Sequence, residues 1–183
     1  MAYFGENWDD AEFPQAYLIT IRTYGTWLHG DERRSVDTHD GYNARGFPDR
    51  AADPKLRSVM TTKMSSPAMV FNKKQRLAVR KAIEEVCQNR EYLLHALSIR
   101  SNHGHLVVRA EVKPEVIANS FKAYSTRKLR EMRLIDPESR VWARGRSRRY
   151  LWKSNHVDAA MDYVTFCQSD YPFEEWYSSK FDD

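Results

Sequence analysis

Two alternating runs separated by three residues constrain this chain more than any other feature. Leu93 to Ile99 and His103 to Arg109 each alternate with period two, and only Arg100-Ser101-Asn102 lies between them. So short a connection predicts an antiparallel hairpin. In the second run His103, His105, Val107 and Arg109 share one face, while Gly104, Leu106, Val108 and Ala110 share the other. The second set is small and apolar and suits a core. The first sets two imidazoles side by side, and two neutral imidazoles at this spacing can bind one divalent ion. On its own, His-x-His is more often an ordinary pair of strand histidines, so the remainder of the chain decides.

Tyr17 to Thr23 (YLITIRT) alternates in the same way and predicts an earlier strand. An irregular stretch follows from about 25 to 72, rich in Gly, Pro and charge. Loops this long are uncommon and often functional. His29, Asp31, Asp37, His39 and Asp40 have metal-ligand chemistry but no fixed spacing, so a solvated or DNA-facing loop is the expectation. Asn72 with Gln75 resembles a capping box, and Val79, Ala82, Ile83 and Val86 follow helical spacing, which predicts a helix over 73–89. Pro114 can open another helix running to about Met132, with Ile117, Phe121, Tyr124 and Lys128 on one stripe. Residues 141–152 (VWARGRSRRYLW) read as an arginine-rich turn between two short strands. Ser154 or Asn155 can cap a last helix, with Val157, Ala160, Met161 and Val164 as its apolar face. The tail from about 170 is acidic and aromatic. His95, within the first of the paired runs, reads as a strand histidine with a structural role.

This order predicts an α+β chain, a ferredoxin-like βαββαβ antiparallel sheet with helices on one face and an additional C-terminal helix. The histidine face should then be the open one. A length of 183 residues fits one domain spanning 1–183, with 25–72 as its insertion. No stretch is long and apolar enough for a membrane span, and Met1 to Asp10 lacks the basic and apolar regions of a signal peptide. Cys87 and Cys167 are too few for a disulfide framework, so a cytoplasmic location is expected.

The net charge is only +4, yet it is concentrated. Eleven Lys and Arg stand against four acids between Lys113 and Arg149, so the rest of the chain is acidic on balance. Aromatic residues (Tyr124, Trp142, Tyr150, Trp152) are interleaved with them. That combination suits a nucleic acid with accessible bases, with Lys122, Arg127, Arg144, Arg146, Arg148 and Arg149 as the contacts. Like charges repel in a tight turn, so the cluster from Arg144 to Arg149 in particular asks for an anion.

A metal next to a phosphate needs a nucleophile as its partner. Gly-x-Ser-x-Gly, Walker A and His-Glu-x-x-His motifs are missing, and neither cysteine has a neighbouring base in sequence. Tyrosine remains, with Tyr124, Tyr150, Tyr163 and Tyr171 as candidates. Tyr124 shares a stripe with Ile117 and Phe121, which suggests core. Tyr150 adjoins Leu151 and Trp152. Tyr163 lies one position off the stripe of the last helix, which lets its hydroxyl leave the core.

These residues resemble the single-tyrosine HUH transposases, which move insertion sequences as single-stranded DNA, and their REP-associated relatives. The resemblance runs from about Tyr17 to Gln168. It rests on NHGHLVV, on the helix FKAYSTRKLRE, on VWARGRSRRYLW and on MDYVTFCQ, in that order. It implies that His103 and His105 bind Mg²⁺ or Mn²⁺ with Gln168 as third ligand. It implies that Tyr163 attacks a DNA phosphate, forming a 5′-phosphotyrosine bond and freeing a 3′-OH. It further implies a homodimer and a hairpin-containing single strand as substrate. The chain departs from the family pattern twice. Gly104 stands between the histidines where a bulky apolar residue is usual. Gln168 follows Tyr163 by five positions rather than four, about 140° off the tyrosine's face of a regular helix.

Three functions fit these features. The first is a metal-dependent transposase that cuts and rejoins single-stranded DNA. The second is a domesticated, non-catalytic DNA- or RNA-binding protein on the same fold, towards which Gly104 leans. The third is a metal-dependent nuclease using water. The first accounts for Tyr163 and the histidines together.

Overall fold

The computed structural model of the chain describes residues 13–31 and 52–166. Along the sequence lie β1 (Ala16–Thr23), α1 (Pro54–Thr62), α2 (Lys73–Asn89), β2 (Leu93–Ile99), β3 (His103–Arg109), α3 (Pro114–Glu131), β4 (Trp142–Leu151) and α4 (Ser154–Phe166). The four strands form one antiparallel sheet in the order β2-β3-β1-β4. The fold is thus the expected α+β type, a ferredoxin-like sheet with a C-terminal helix that carries Tyr163.

One face of the sheet holds the main core. Tyr17, Ile19 and Ile21 of β1 and Leu106 and Val108 of β3 pack against Val79, Ile83 and Val86 of α2 and Ile117, Phe121 and Leu129 of α3. Fully burying each such side chain contributes roughly 1.5–3 kcal/mol. Helix α2 starts where the sequence places it, because Asn72 accepts from the Gln75 N–H at 3.0 Å and the Gln75 side chain accepts from the Asn72 N–H at 2.8 Å. At the far end of this layer, Lys128 of α3 pairs with Glu85 of α2 at 2.8 Å.

Four expectations are corrected. The stretch 25–72 is not irregular throughout, since it contains α1. Asp53 caps that helix by accepting from Lys55 and Leu56 N–H, each at 3.0 Å, and Pro54 sits in its first turn. Helix α1 buries none of its residues, and its apolar set is only Leu56, Val59 and Met60, too short a run for periodicity to single out. Residues 142–151 form one continuous strand, not two pieces around a turn. Pairing with β1 carries the backbone through the arginines, with Arg146 and Arg148 on one face and Arg149 on the other. Finally, the histidine face is not open. Helix α4 lies across it, packing Val157, Ala160 and Val164 on Ala16, Val107 and Leu151. The apolar stripe of α4 was legible, but not the sheet face that would cover it.

Tyr124 is likewise exposed rather than core. The buried stripe of α3 runs through Ile117, Phe121, Ser125 and Leu129, which leaves Tyr124 on its shoulder near Arg90.

Candidate functional site

Alternation along β3 turns His103, His105 and Val107 towards α4 and Gly104, Leu106 and Val108 towards α2 and α3. Gly104 has a packing reason. A Cβ there would meet Ile99 Cδ1 at 2.9 Å and Ile21 Cγ1 at 3.4 Å, so neighbouring isoleucines already fill the space a larger residue would take.

The two imidazoles sit edge to face, with ring centroids 4.6 Å apart. Each is oriented through Nδ1. The side-chain oxygen of Asn102 accepts from His103 Nδ1 at 2.6 Å, which places that ring's lone pair on Nε2. His105 Nδ1 meets the Thr20 hydroxyl at 2.8 Å, a partner that serves either tautomer. His105 is 8% exposed, and burial pulls its pKa down to about 4, with the charges of His103, Arg100 and Arg22 adding to the effect. At neutral pH it is therefore an uncharged imidazole, the form that binds metals.

Tyr163 completes the cluster. Its neighbour Val164 is on the buried stripe of α4, while Tyr163 is 42% exposed and stands edge-on to His105 with centroids 5.5 Å apart. Sequence reasoning thus placed His103, His105 and Tyr163 separately, and the fold brings them together. Of the other tyrosines, Tyr150 lies in the main core layer against Tyr17 at 5.5 Å. Tyr171 is outside the described residues.

The remaining candidates scatter. Lys122 lies on α3, away from the histidines, and its ammonium donates to the carbonyls of Ala143 and Gly145, both at 2.8 Å. Arg146 and Arg148 both reach Glu115 of α3, at 3.2 and 3.1 Å. These three hold β4 against α3. Arg127 makes an exposed pair with Glu131 at 2.7 Å. Arg144 and Arg149 are exposed, and Arg149, which pairs in register with Leu18, is on the histidine side of the sheet. Gln168, Asp37, His39 and Asp40 are outside the described residues. Asp31 is buried, not solvated as expected. Among the described residues, no third His, Cys, Asp or Glu joins the histidine pair.

Sequence reasoning missed Thr20 and Arg22. The signal was present: in YLITIRT the polar residues alternate with the apolar ones, which puts Leu18, Thr20 and Arg22 on a single face. Register places Thr20 opposite His105 and Arg22 opposite His103.

The sequence profile of the family described as "Transposase IS200 like" matches residues 52–165, well over half of the chain. The chain belongs to this family. Two solved structures are similar to this IS200-like transposase. One is a REP-associated tyrosine transposase bound to a REP hairpin, with 11% identity, a TM-score of 0.48, and coverage of 91% of this chain and 72% of that one. The other is a Deinococcus radiodurans protein assigned as a transposase, with 10% identity, a TM-score of 0.46, and coverage of 89% and 95%. No curated protein matches the chain. Among the transposase's described residues, no helix is long and apolar enough to cross a membrane.

Proposed function

We propose that this member of the family cuts and rejoins single-stranded DNA through a covalent tyrosine intermediate, with a divalent metal at the histidine pair. The observation that carries this reading is the cluster itself: a half-exposed phenol set edge-on to the buried one of two adjacent, oriented imidazoles. Tyr163 Oη attacks the phosphorus, the bond from phosphorus to the 3′ oxygen breaks, and a 5′-phosphotyrosine forms. The phenol proton is lost and the departing 3′ oxygen takes one up, so the step is balanced. Rejoining reverses it with a 3′-OH as nucleophile.

The residues fit a metal. His103 and His105 would offer Nε2, since Nδ1 of each is engaged, and Gln168 remains the third ligand the resemblance implies. When bound, the ion would polarise the phosphate and stabilise the leaving oxygen. Nitrogen donors suit Mn²⁺ better than Mg²⁺, which prefers oxygen. Thr20 and Asn102 hold the rings. The low proton affinity of His105 keeps it from competing with the ion by protonation. The substrate is read as a hairpin-containing single strand, and the working unit as a homodimer.

The test is incubation with hairpin-flanked single-stranded DNA and Mn²⁺, followed by a denaturing gel. A covalent protein–DNA adduct is expected, and it should vanish in Tyr163→Phe. An adduct that survives the substitution would place the nucleophile elsewhere. Cleavage without an adduct would favour water. Metal-independent binding unchanged by His103→Ala, with no cleavage, would favour a non-catalytic role. Gly104 no longer leans that way, because packing accounts for it.

A further inference from the structure

We infer that Arg22, backed by the indole of Trp27, is a phosphate-binding residue of the histidine site and holds a non-bridging oxygen of the DNA phosphodiester being cut. The inference rests on the proposed reading of that site as a DNA-processing centre, and it adds a residue that the histidine and tyrosine motifs do not contain.

Register is the first support. Arg22 pairs with His103 across the β1–β3 ladder, two residues from Thr20, whose hydroxyl touches His105. Directly opposite residues of antiparallel strands lie about 4.5–5.5 Å apart, and alternation puts Thr20 and Arg22 on the same face.

The second support is the platform. The guanidinium carbon of Arg22 lies 3.8 Å from the centroid of the Trp27 ring. An arginine stacked flat on an aromatic ring has its N–H fork preorganised in one plane, the geometry that meets two phosphate oxygens. The platform is itself fixed to the site. Asn102, whose side chain orients His103, accepts through its carbonyl from Thr23 N–H at 2.9 Å and the Thr23 hydroxyl at 3.0 Å. Thr26, next to Trp27, meets the Thr23 hydroxyl at 3.0 Å. A shift of the Trp27 loop would therefore disturb the same turn that orients His103.

The third support is comparison with the other cations. Arg100 is only 3% exposed, too buried to meet a DNA strand. Arg146 and Arg148 are turned to Glu115 beyond the sheet. Arg149 shares the histidine face but pairs with Leu18, two positions further from His105 than the Thr20 row. Arg22 is more exposed than Arg100 and nearer than Arg149. Attack by a phenol requires the charge of the phosphoryl oxygens to be stabilised, and preorganised cations do this most effectively in a partly dehydrated site.

The experiment walks a single methylphosphonate, a neutral linkage, along a hairpin-containing DNA strand. Binding is measured by fluorescence anisotropy in EDTA for the full-length protein and for Arg22→Ala, Arg22→Lys and Trp27→Ala, after circular dichroism confirms that each is folded. Wild type should show one linkage at which loss of charge weakens binding about 5–10-fold, as expected for one charge-assisted contact. In Arg22→Ala that linkage should become indifferent, while sensitivity elsewhere along the strand is unchanged. Arg22→Lys should restore only part of it, and Trp27→Ala should reduce it. With Mn²⁺, Arg22→Ala should slow adduct formation on natural DNA by about 100-fold or more. The inference is overturned if Arg22→Ala keeps the wild-type methylphosphonate profile, or weakens binding equally at every linkage. If wild type forms no adduct at all, the proposed chemistry fails, and the metal-free walk still decides whether Arg22 holds a phosphate.

Discussion

Gly104 shows how a single residue can mislead a sequence reading. Between two candidate ligands, a glycine looks like erosion of a site. In the fold it faces away from the histidines, between Ile99 and Ile21. A methyl group would press only on the far end of Ile99, 2.9 Å away, which can rotate. Gly104→Ala should therefore change stability by less than about 1 kcal/mol, whereas the branched side chain of Gly104→Val overpacks the site and should cost about 1–3 kcal/mol. Adding Ile99→Val, which removes the crowding carbon, should recover part of the Gly104→Val loss in urea melts. Additive costs would show that the clash is elsewhere. Tyr17 gives a second test at this scale. Burial raises its hydroxyl pKa, with Tyr150 and Glu115 adding, so the native state holds the proton after the unfolded chain has released it near pH 10. Above that pH the native state binds more protons, and stability must fall as pH rises, by about 1 kcal/mol at pH 11 from this group. Comparing urea midpoints at pH 9 and 11, Tyr17→Phe should show a shallower decline than wild type. An identical decline would assign the loss to other groups.

At the level of elements, legibility followed burial. Helices α2 and α3 and the hairpin of β2 and β3 each carry an apolar pattern that must be covered, and the pattern set their type and nearly their ends. Helix α1 has no buried residue, and its cap, Asp53 with Pro54, is its clearest mark in the sequence. The strand β4 was broken in two by its arginines, because sequence shows like charges close together but not the acid that separates them. Glu115 is that acid. It accepts from Arg146 and Arg148, and although burial raises its pKa, its backbone hydrogen bond and the two arginines hold it below the usual carboxylate range. Glu115→Ala should leave two guanidinium groups facing each other and cost about 1–2 kcal/mol, at the upper end for partly exposed pairs. The loss should appear as faster amide exchange in β4 together with a lower melting temperature. Unchanged exchange in β4 would mean that its ladder with β1 suffices. The same logic governs the site. His103, His105 and Tyr163 were legible because strand and helix alternation place them, and Arg22 was not, because its role depends on which strand lies beside β3.

For the molecule as a whole, the question is where the positive charge acts. The surplus between Lys113 and Arg149 reads as one basic surface in sequence, but the fold divides it. Lys122 is half-buried among the carbonyls of β4, where desolvation, with help from Arg146, pulls its pKa down to about 8. Arg146 and Arg148 share the single carboxylate of Glu115, which offsets one of their two charges. Arg127, Arg130 and Arg140 line a groove of about 730 Å³ between α3 and residues 138–142, on the α3 side of the sheet. Arg144 and Arg149 remain exposed, with Arg149 on the side of Tyr163 and the histidines. A DNA strand entering that side releases counterions in proportion to the phosphates it pairs. Each contact on a single strand contributes about 0.7 to the slope of log K against log salt. Arg149→Gln should therefore lower that slope by about 0.7, while the melting temperature barely moves. Arg146→Gln should do the reverse, lowering the melting temperature and leaving the slope intact. The two measurements separate cations that bind the partner from cations that hold the fold. If Arg146→Gln instead reduced the slope as much as Arg149→Gln, β4 would release its pairs with Glu115 on meeting DNA, and the strand's arginines would act as one surface after all.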